Sequence, residues 1–219
     1  MEKNIQNMID QPIEFKLNYY FSKSWEIFGK APGLFIGAIL IEMLISAIGG
    51  MIPFIGPIVS FIFSTIFSAG FYIVSKKINA NENVEFNDLF GGFELSVKLI
   101  LITILSTVLI SIGFLLLIPG IYLLVAYALA IPIALFSEEG IWDTMEASRK
   151  IVTKNWFRFL LFFLLLLLFN IAGAVLLLVG LLVTIPVSII SIYVIYDDMM
   201  KPLEDSMYFK DIETLDSDI

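Results

Sequence analysis

Two residue types are missing from this 219-residue chain: cysteine and histidine. Without Cys there is no disulfide framework, thiolate nucleophile or Cys metal site, and the redox compartment cannot be read. Without His the commonest general base and the commonest metal ligand are both absent. Zinc proteases of the HExxH type and Ser-His-Asp hydrolases are thereby excluded. Charge is scarce too. Only 16% of the residues are charged and 59% are apolar, against about 25% and about 45–50% in soluble domains. The mean hydropathy is +0.94. A water-soluble globule does not fit this composition. No basic patch with interleaved aromatics occurs, so nucleic acid is not an expected partner. The opening MEKNIQNMIDQP lacks a basic region followed by an apolar core, and no cleavable signal peptide is expected from it.

What the chain does have is apolar length. Six segments, about 34–50, 53–74, 95–117, 120–136, 157–178 and 181–196, are long enough to approach or cross a hydrocarbon core of ~30 Å. All 13 Lys and Arg lie in 1–30, 76–98, 149–158 and 201–210, and 20 of the 21 acidic residues fall on the same side of this layout. By the positive-inside rule that side is expected to be cytoplasmic, with both termini on it. The opposite turns (GGMIPFIGP, GFLLLIPG, VGLLVTIP) are short and uncharged, leaving no room for an external domain.

The layout repeats three times as an amphipathic stretch followed by an apolar hairpin with Gly and Pro at its bend. In the first unit Leu17, Phe21, Ser24 and Phe28 share a helical face; in the third Ile141, Met145, Ser148 and Val152 do so. Ser24-Trp25-Glu26-Ile27-Phe28-Gly29-Lys30 aligns with Ser148-Arg149-Lys150-Ile151-Val152-Thr153-Lys154 in Ser, Ile and Lys. The second unit, around Phe86 to Phe93, is shorter. The expected fold is all-α: a polytopic membrane protein of about six transmembrane helices, arranged as three hairpins, each preceded by an amphipathic interfacial helix. The expected organisation is a polar segment 1–12, a membrane domain 13–196 with repeats 13–74, 86–136 and 141–196, and an acidic cytoplasmic tail 197–219.

The stretch from Leu115 to Leu168 contains a Pro119-Gly120 bend, a helix ending at Pro132 and an acidic-Gly turn. An amphipathic Ser-basic-basic helix follows, then Asn155-Trp156 before a Leu-rich span. It resembles the membrane domain found beside some bacterial glycerophosphodiester phosphodiesterases, and related stand-alone bacterial membrane proteins of unknown function. Ser24-Trp25-Glu26 with Lys30 is similar to the same signature. The resemblance covers most of 15–196 and implies a polytopic bacterial inner-membrane protein. The phosphodiesterase barrel is absent, so the resemblance carries over no catalytic or binding residue.

Few side chains invite a chemical role. Glu42 is the one ionisable residue inside an expected span, where a charge costs about 2.5–3.5 kcal/mol or more. In a polar cavity it could bind a cation or relay a proton; otherwise it is a neutral acid hydrogen-bonded to a neighbouring helix. Asn170, in the middle of the fifth segment, is its candidate partner or an interhelical link. Trp25, Trp142 and Trp156 fall near the expected cytoplasmic boundary as interfacial anchors. Small residues recur every four positions at Gly33/Gly37, Ser60/Ser64/Ser68, Thr103/Thr107/Ser111 and Ala126/Ala130/Ala134. Close helix packing explains such stripes; a Ser/Thr-lined channel would need the second and third spans to face a common space. No catalytic residue, cofactor or metal site is expected. The leading expectation is a non-enzymatic scaffold or accessory subunit acting through its interfacial helices and tail, on the bilayer or a membrane-protein partner. The alternative is a small-solute or lipid carrier that uses Glu42 on a bound ligand.

Overall fold

The structure, a computed structural model, describes residues 15–52, 55–176 and 179–217; the polar segment 1–12 lies outside them. Its helices are α1 (Leu17–Lys30), α2 (Pro32–Gly49), α3 (Ile55–Asn79), a 3-10 segment (Phe86–Leu95), α4 (Ser96–Phe114), α5 (Ile118–Ala126), α6 (Ala130–Phe136), α7 (Ile141–Thr153), α8 (Trp156–Val175) and α9 (Leu181–Ser217). Among the described residues six stretches are long and apolar enough to cross a membrane, the fourth being α5 and α6 together. The chain is an all-α polytopic membrane protein. The six expected spans are found with ends shifted by a few residues, and two differ in kind.

The fourth span is broken between Ala126 and Ala130. Pro132 is the cause: it has no N–H to offer the Ala128 carbonyl, and its ring collides with the preceding turn, so an uninterrupted helix cannot pass. Proline is tolerated in a first helical turn, which is where α6 places it. The sixth span does not stop near Tyr196. It runs on without interruption to Ser217 as part of α9.

Each hairpin closes on a pair of glycines seven positions apart: Gly49 with Gly56, Gly113 with Gly120, Gly173 with Gly180. A Cβ on Gly56 would land on the Gly49 carbonyl, and one on Gly180 would sit 2.5 Å from the Gly173 carbonyl oxygen. In the middle hairpin a Cβ on Gly113 would lie 2.9 Å from the Gly120 nitrogen. Backbones this close leave no room for any side chain, and in lipid such contacts supply the packing that water-driven burial cannot. The offset from Ser24 to Gly49 equals that from Ser148 to Gly173, so the amphipathic helices and the bends repeat in one register.

In every hairpin the second helix is the inner one. The buried share is 22% against 50% for α2 and α3, 11% against 44% for the second pair, and 22% against 50% for α8 and α9. The inner helices α3, α6 and α9 each touch the other two. The outer helices turn Leu40, Met43 and Leu44 of α2, Leu101, Ile104 and Val108 of α4, and Leu164, Leu167 and Leu168 of α8 outwards, as a lipid-facing belt requires. At the charged end α1 packs on α9, the 3-10 segment on α3, and α7 on α5 and α6. These leading elements are more than surface floats: Tyr20, Ser24, Ile27 and Phe28 of α1 and Thr144, Met145, Ala147, Ser148, Ile151 and Val152 of α7 are buried.

Candidate functional site

Glu42 lies midway along α2, on the side that also carries the buried Phe35, Ala38, Ile39 and Gly49, and is itself only half-buried. It makes no hydrogen bond or ion pair among the described residues. Asn170 is not its partner. The Asn170 Nδ2 donates at 2.8 Å to Ser188 Oγ of α9 and at 2.8 Å to the Leu166 carbonyl, so it ties α8 to α9. Its Oδ1 is buried without a donor. Of the tryptophans, Trp25 and Trp142 are exposed at 54% and 60%, as anchors would be. Trp156 is half-buried; its ring stacks on Tyr122 with centroids 6.2 Å apart, and its Nε1 donates to the Tyr122 carbonyl at 3.3 Å.

A polar cluster gathers on α9 at the charged end of the bundle. Asp197 accepts from Asn79 Nδ2 of α3 at 3.0 Å and from the Tyr193 hydroxyl at 3.1 Å. Asp198 accepts from Lys16 Nζ at 3.2 Å and from the Tyr20 hydroxyl at 3.1 Å. Burial holds the Tyr20 hydroxyl protonated well above the usual tyrosine range, so it serves here as a donor. Two adjacent acids on one helix thus reach in different directions, one to α3 and one to α1. Beside them is a cavity of about 80 Å³ lined by Lys76, Phe136, Tyr193, Tyr196, Asp197 and Met200. Lys76 Nζ sits 4.7 Å from the Phe136 ring centroid, and Phe136 stacks on Tyr196 at 5.5 Å. Phe136 and Tyr196 stand at the same offset from Gly120 and Gly180 as Tyr72 does from Gly56.

Two polar links escaped the sequence reading. Ser148 of α7 reaches into the break of the fourth span: its Oγ donates to the Ala126 carbonyl at 2.8 Å and accepts from the Leu129 N–H at 3.1 Å. It supplies both backbone groups with a partner at the break, where the helical ladder is interrupted. Ser24, aligned with it in the repeat, only donates to the Tyr20 carbonyl of its own helix, at 2.5 Å. Lys98 at the start of α4 donates at 2.9 Å to the Ala134 and Ser137 carbonyls, placing a positive charge on the C-terminal end of α6. The outer side of α7 carries a further network. Arg149 holds Glu146 through two bonds at 2.7 and 2.6 Å and reaches the Tyr122 hydroxyl at 3.4 Å. The Arg149 bonds keep the Glu146 carboxyl below its usual range; on α1 the Lys23 and Lys30 bonds do the same for Glu26.

The small-residue stripes divide. Ala126, Ala130 and Ala134 are buried in the bundle, whereas a Cβ on Gly33 or Gly37 would meet nothing within 4 Å, so that pair packs against no helix here. The second and third spans do share a space: Ser64, Thr65, Ser68 and Tyr72 of α3 and Thr103 of α4 line a groove of about 220 Å³ with Phe61 and Ile131. It opens sideways, and Thr107 and Ser111 are exposed outside it, so these residues form a lateral groove and no channel. Glu42 lines neither this groove nor the cavity at α9. No cluster of three or more acids able to hold a metal occurs among the described residues. The sequence matches no protein-family model, and no curated protein and no solved structure matches it either.

Proposed function

We propose that this protein is a non-enzymatic scaffold or accessory subunit of a bacterial inner membrane, its charged end facing the cytoplasm, engaging a partner through the extension of α9 and the outward sides of α1 and α7. One observation carries the reading: α9 is a single helix from Leu181 to Ser217, its membrane half among the most buried parts of the bundle. A helix of that length spans about 55 Å at 1.5 Å per residue, of which its last 17 residues make up roughly 25 Å. The bonds of Asp197 to α3 and Asp198 to α1 fix the direction in which it leaves. The last 17 residues of α9 hold five acidic residues and two Lys, and a helix of that charge suits a basic partner surface. The positive-inside rule supports the orientation, and the resemblance to the phosphodiesterase-associated membrane domain supports a role beside another protein.

The test is native mass spectrometry of the protein extracted gently from its own membranes, full-length and truncated after Met200. The reading requires a stoichiometric protein partner on the full chain that the truncated chain loses. A partner retained without the extension, or none on either, would refute it. A carrier that uses Glu42 is the second reading, favoured by one observation: the acid has no polar partner in the bundle although it lies midway along a span. Flux in proteoliposomes that Glu42→Gln leaves unchanged would remove Glu42 from that role.

A further inference from the structure

The lateral groove between α3 and α4 differs from an ordinary packing stripe in how its hydroxyls are used. A Ser or Thr in a membrane helix normally satisfies itself by donating to the carbonyl four residues back. Thr65 and Thr103 do so, at 3.0 and 2.8 Å, which leaves their oxygens free to accept. Ser64, Ser68 and Tyr72 do not: none of the three makes a hydrogen bond among the described residues. Tyr72 is the decisive case. It is only 4% exposed and lines the groove, yet its hydroxyl is not among the sealed, unpartnered polar atoms of the interior, so what little surface it keeps includes the hydroxyl. A buried tyrosine hydroxyl usually finds a partner, and in hydrocarbon no water is there to supply one.

Depth and charge define what could. Ser68 is near the middle of α3, and Thr103 is about 10 Å along α4 from the charged end, so the groove sits within the hydrocarbon layer and opens to it. No Lys, Arg, Asp or Glu lines it. A phosphate or ammonium headgroup would be stripped of water there with no counter-charge, which is prohibitive. What the groove offers is three donors and, on Thr65 and Thr103, two acceptors.

We propose that this groove binds an uncharged, hydroxyl-bearing glyceride from the bilayer, its ester carbonyls accepting from Ser64, Ser68 and Tyr72 and its free hydroxyl donating to Thr65 or Thr103. Diacylglycerol is the simplest molecule of that class: two ester carbonyls, one hydroxyl, no charge. Its acyl chains remain in the lipid, and only the glycerol-ester region enters the 220 Å³ space. The proposal does not depend on the scaffold reading, because it involves neither α9 beyond the bundle nor a protein partner.

The test is photolabelling of the full chain in nanodiscs by a diacylglycerol bearing a diazirine high on one acyl chain, with a phosphatidylglycerol bearing the same group as the charged probe. The proposal predicts adducts from the diacylglycerol on α3 or α4 around the groove, competed by unlabelled dioleoylglycerol, and at least tenfold weaker labelling by the phosphatidylglycerol. Tyr72→Phe with Ser68→Ala removes two donors while keeping shape, and is predicted to lower diacylglycerol labelling at least tenfold with unchanged helicity and thermal midpoint. Ser68→Leu, which fills the groove, is a second route to the same loss should the double variant misfold. Equal labelling by both probes, labelling spread over α2 and α8, or labelling that the variants leave unchanged would each overturn the proposal.

Discussion

Ser24 and Ser148 occupy the same position in two repeats, yet the structure gives them unequal work, and their alanine variants measure the difference. Ser148→Ala deletes one oxygen and with it two bonds, leaving the Ala126 carbonyl and the Leu129 N–H unpaired at a break that Pro132 keeps from closing. Ser148 is fully buried, so neither water nor lipid can substitute. Interhelical hydrogen bonds in membrane bundles average only about 0.6 kcal/mol, because side chains freed by mutation find other partners. Backbone groups trapped in a helix break have no such freedom, and the applicable figure is the penalty for orphaning a buried polar group, about 1–3 kcal/mol. Ser24→Ala deletes only a bond to a carbonyl of its own helix. Such back-bonding slightly weakens a helix, and no group of another helix loses a partner, so the expected change is smaller than for Ser148→Ala. The assay is reversible unfolding of purified protein in mixed micelles, followed by far-UV circular dichroism. The account predicts Ser148→Ala to be the less stable by 1 kcal/mol or more, within the range for an orphaned buried group. Two variants of equal stability would refute the argument that α7 closes the break.

Three further outcomes are expected. Gly180→Ala, which drives a Cβ to 2.5 Å from the Gly173 carbonyl, is predicted to abolish folded yield in detergent, whereas Gly37→Ala, with nothing within 4 Å, should raise stability in the same unfolding assay by the ~0.5–1 kcal/mol that alanine gains over glycine in a helix; the reverse order would contradict the hairpin geometry. Lys98→Met removes the cation from the end of α6 and frees two carbonyls, for an expected loss of about 1–3 kcal/mol in the same unfolding assay; no loss would show that the carbonyls are otherwise satisfied. Glu146 is held ionised by Arg149, so its contribution to stability is complete above the ordinary carboxylate pKa of about 4.3 and fades as pH falls through its lowered value; a carbon-13 titration of its carboxyl with a midpoint at or above 4.3 would contradict that pairing.

Much of the architecture could be read from the chain because hydrophobic length and charge placement act locally. Runs that must be lipid-covered and loops that must not are visible residue by residue, and they gave six spans in three hairpins. Gly49/Gly56, Gly113/Gly120 and Gly173/Gly180 were equally visible but read as turn residues; that they touch depends on how tightly each hairpin folds back. The Gly33/Gly37 stripe erred the other way, since its spacing is that of a contact but the bundle leaves that side open. Asn170 was legible as an interhelical link and not as to its partner, because pairing with Ser188 depends on which helix stands beside α8. The work of Ser148 was beyond a sequence reading: it needs the Pro132 break and the α7 surface at one point in space, from segments 16 residues apart.

Central to the account is the inner set of α3, α6 and α9, of which α3 and α6 contribute to the groove and α3 holds α9 through Asp197. It is tested most directly by paired cysteines in this Cys-free chain, cross-linked in native membranes with a short thiol-reactive reagent. Asn79→Cys with Asp197→Cys, replacing side chains whose polar atoms lie 3.0 Å apart, should join α3 to α9 rapidly and nearly completely. Glu42→Cys with Asn170→Cys, on the outer helices α2 and α8, should not react with each other. A linked Glu42/Asn170 pair, or an unlinked Asn79/Asp197 pair, would contradict the account.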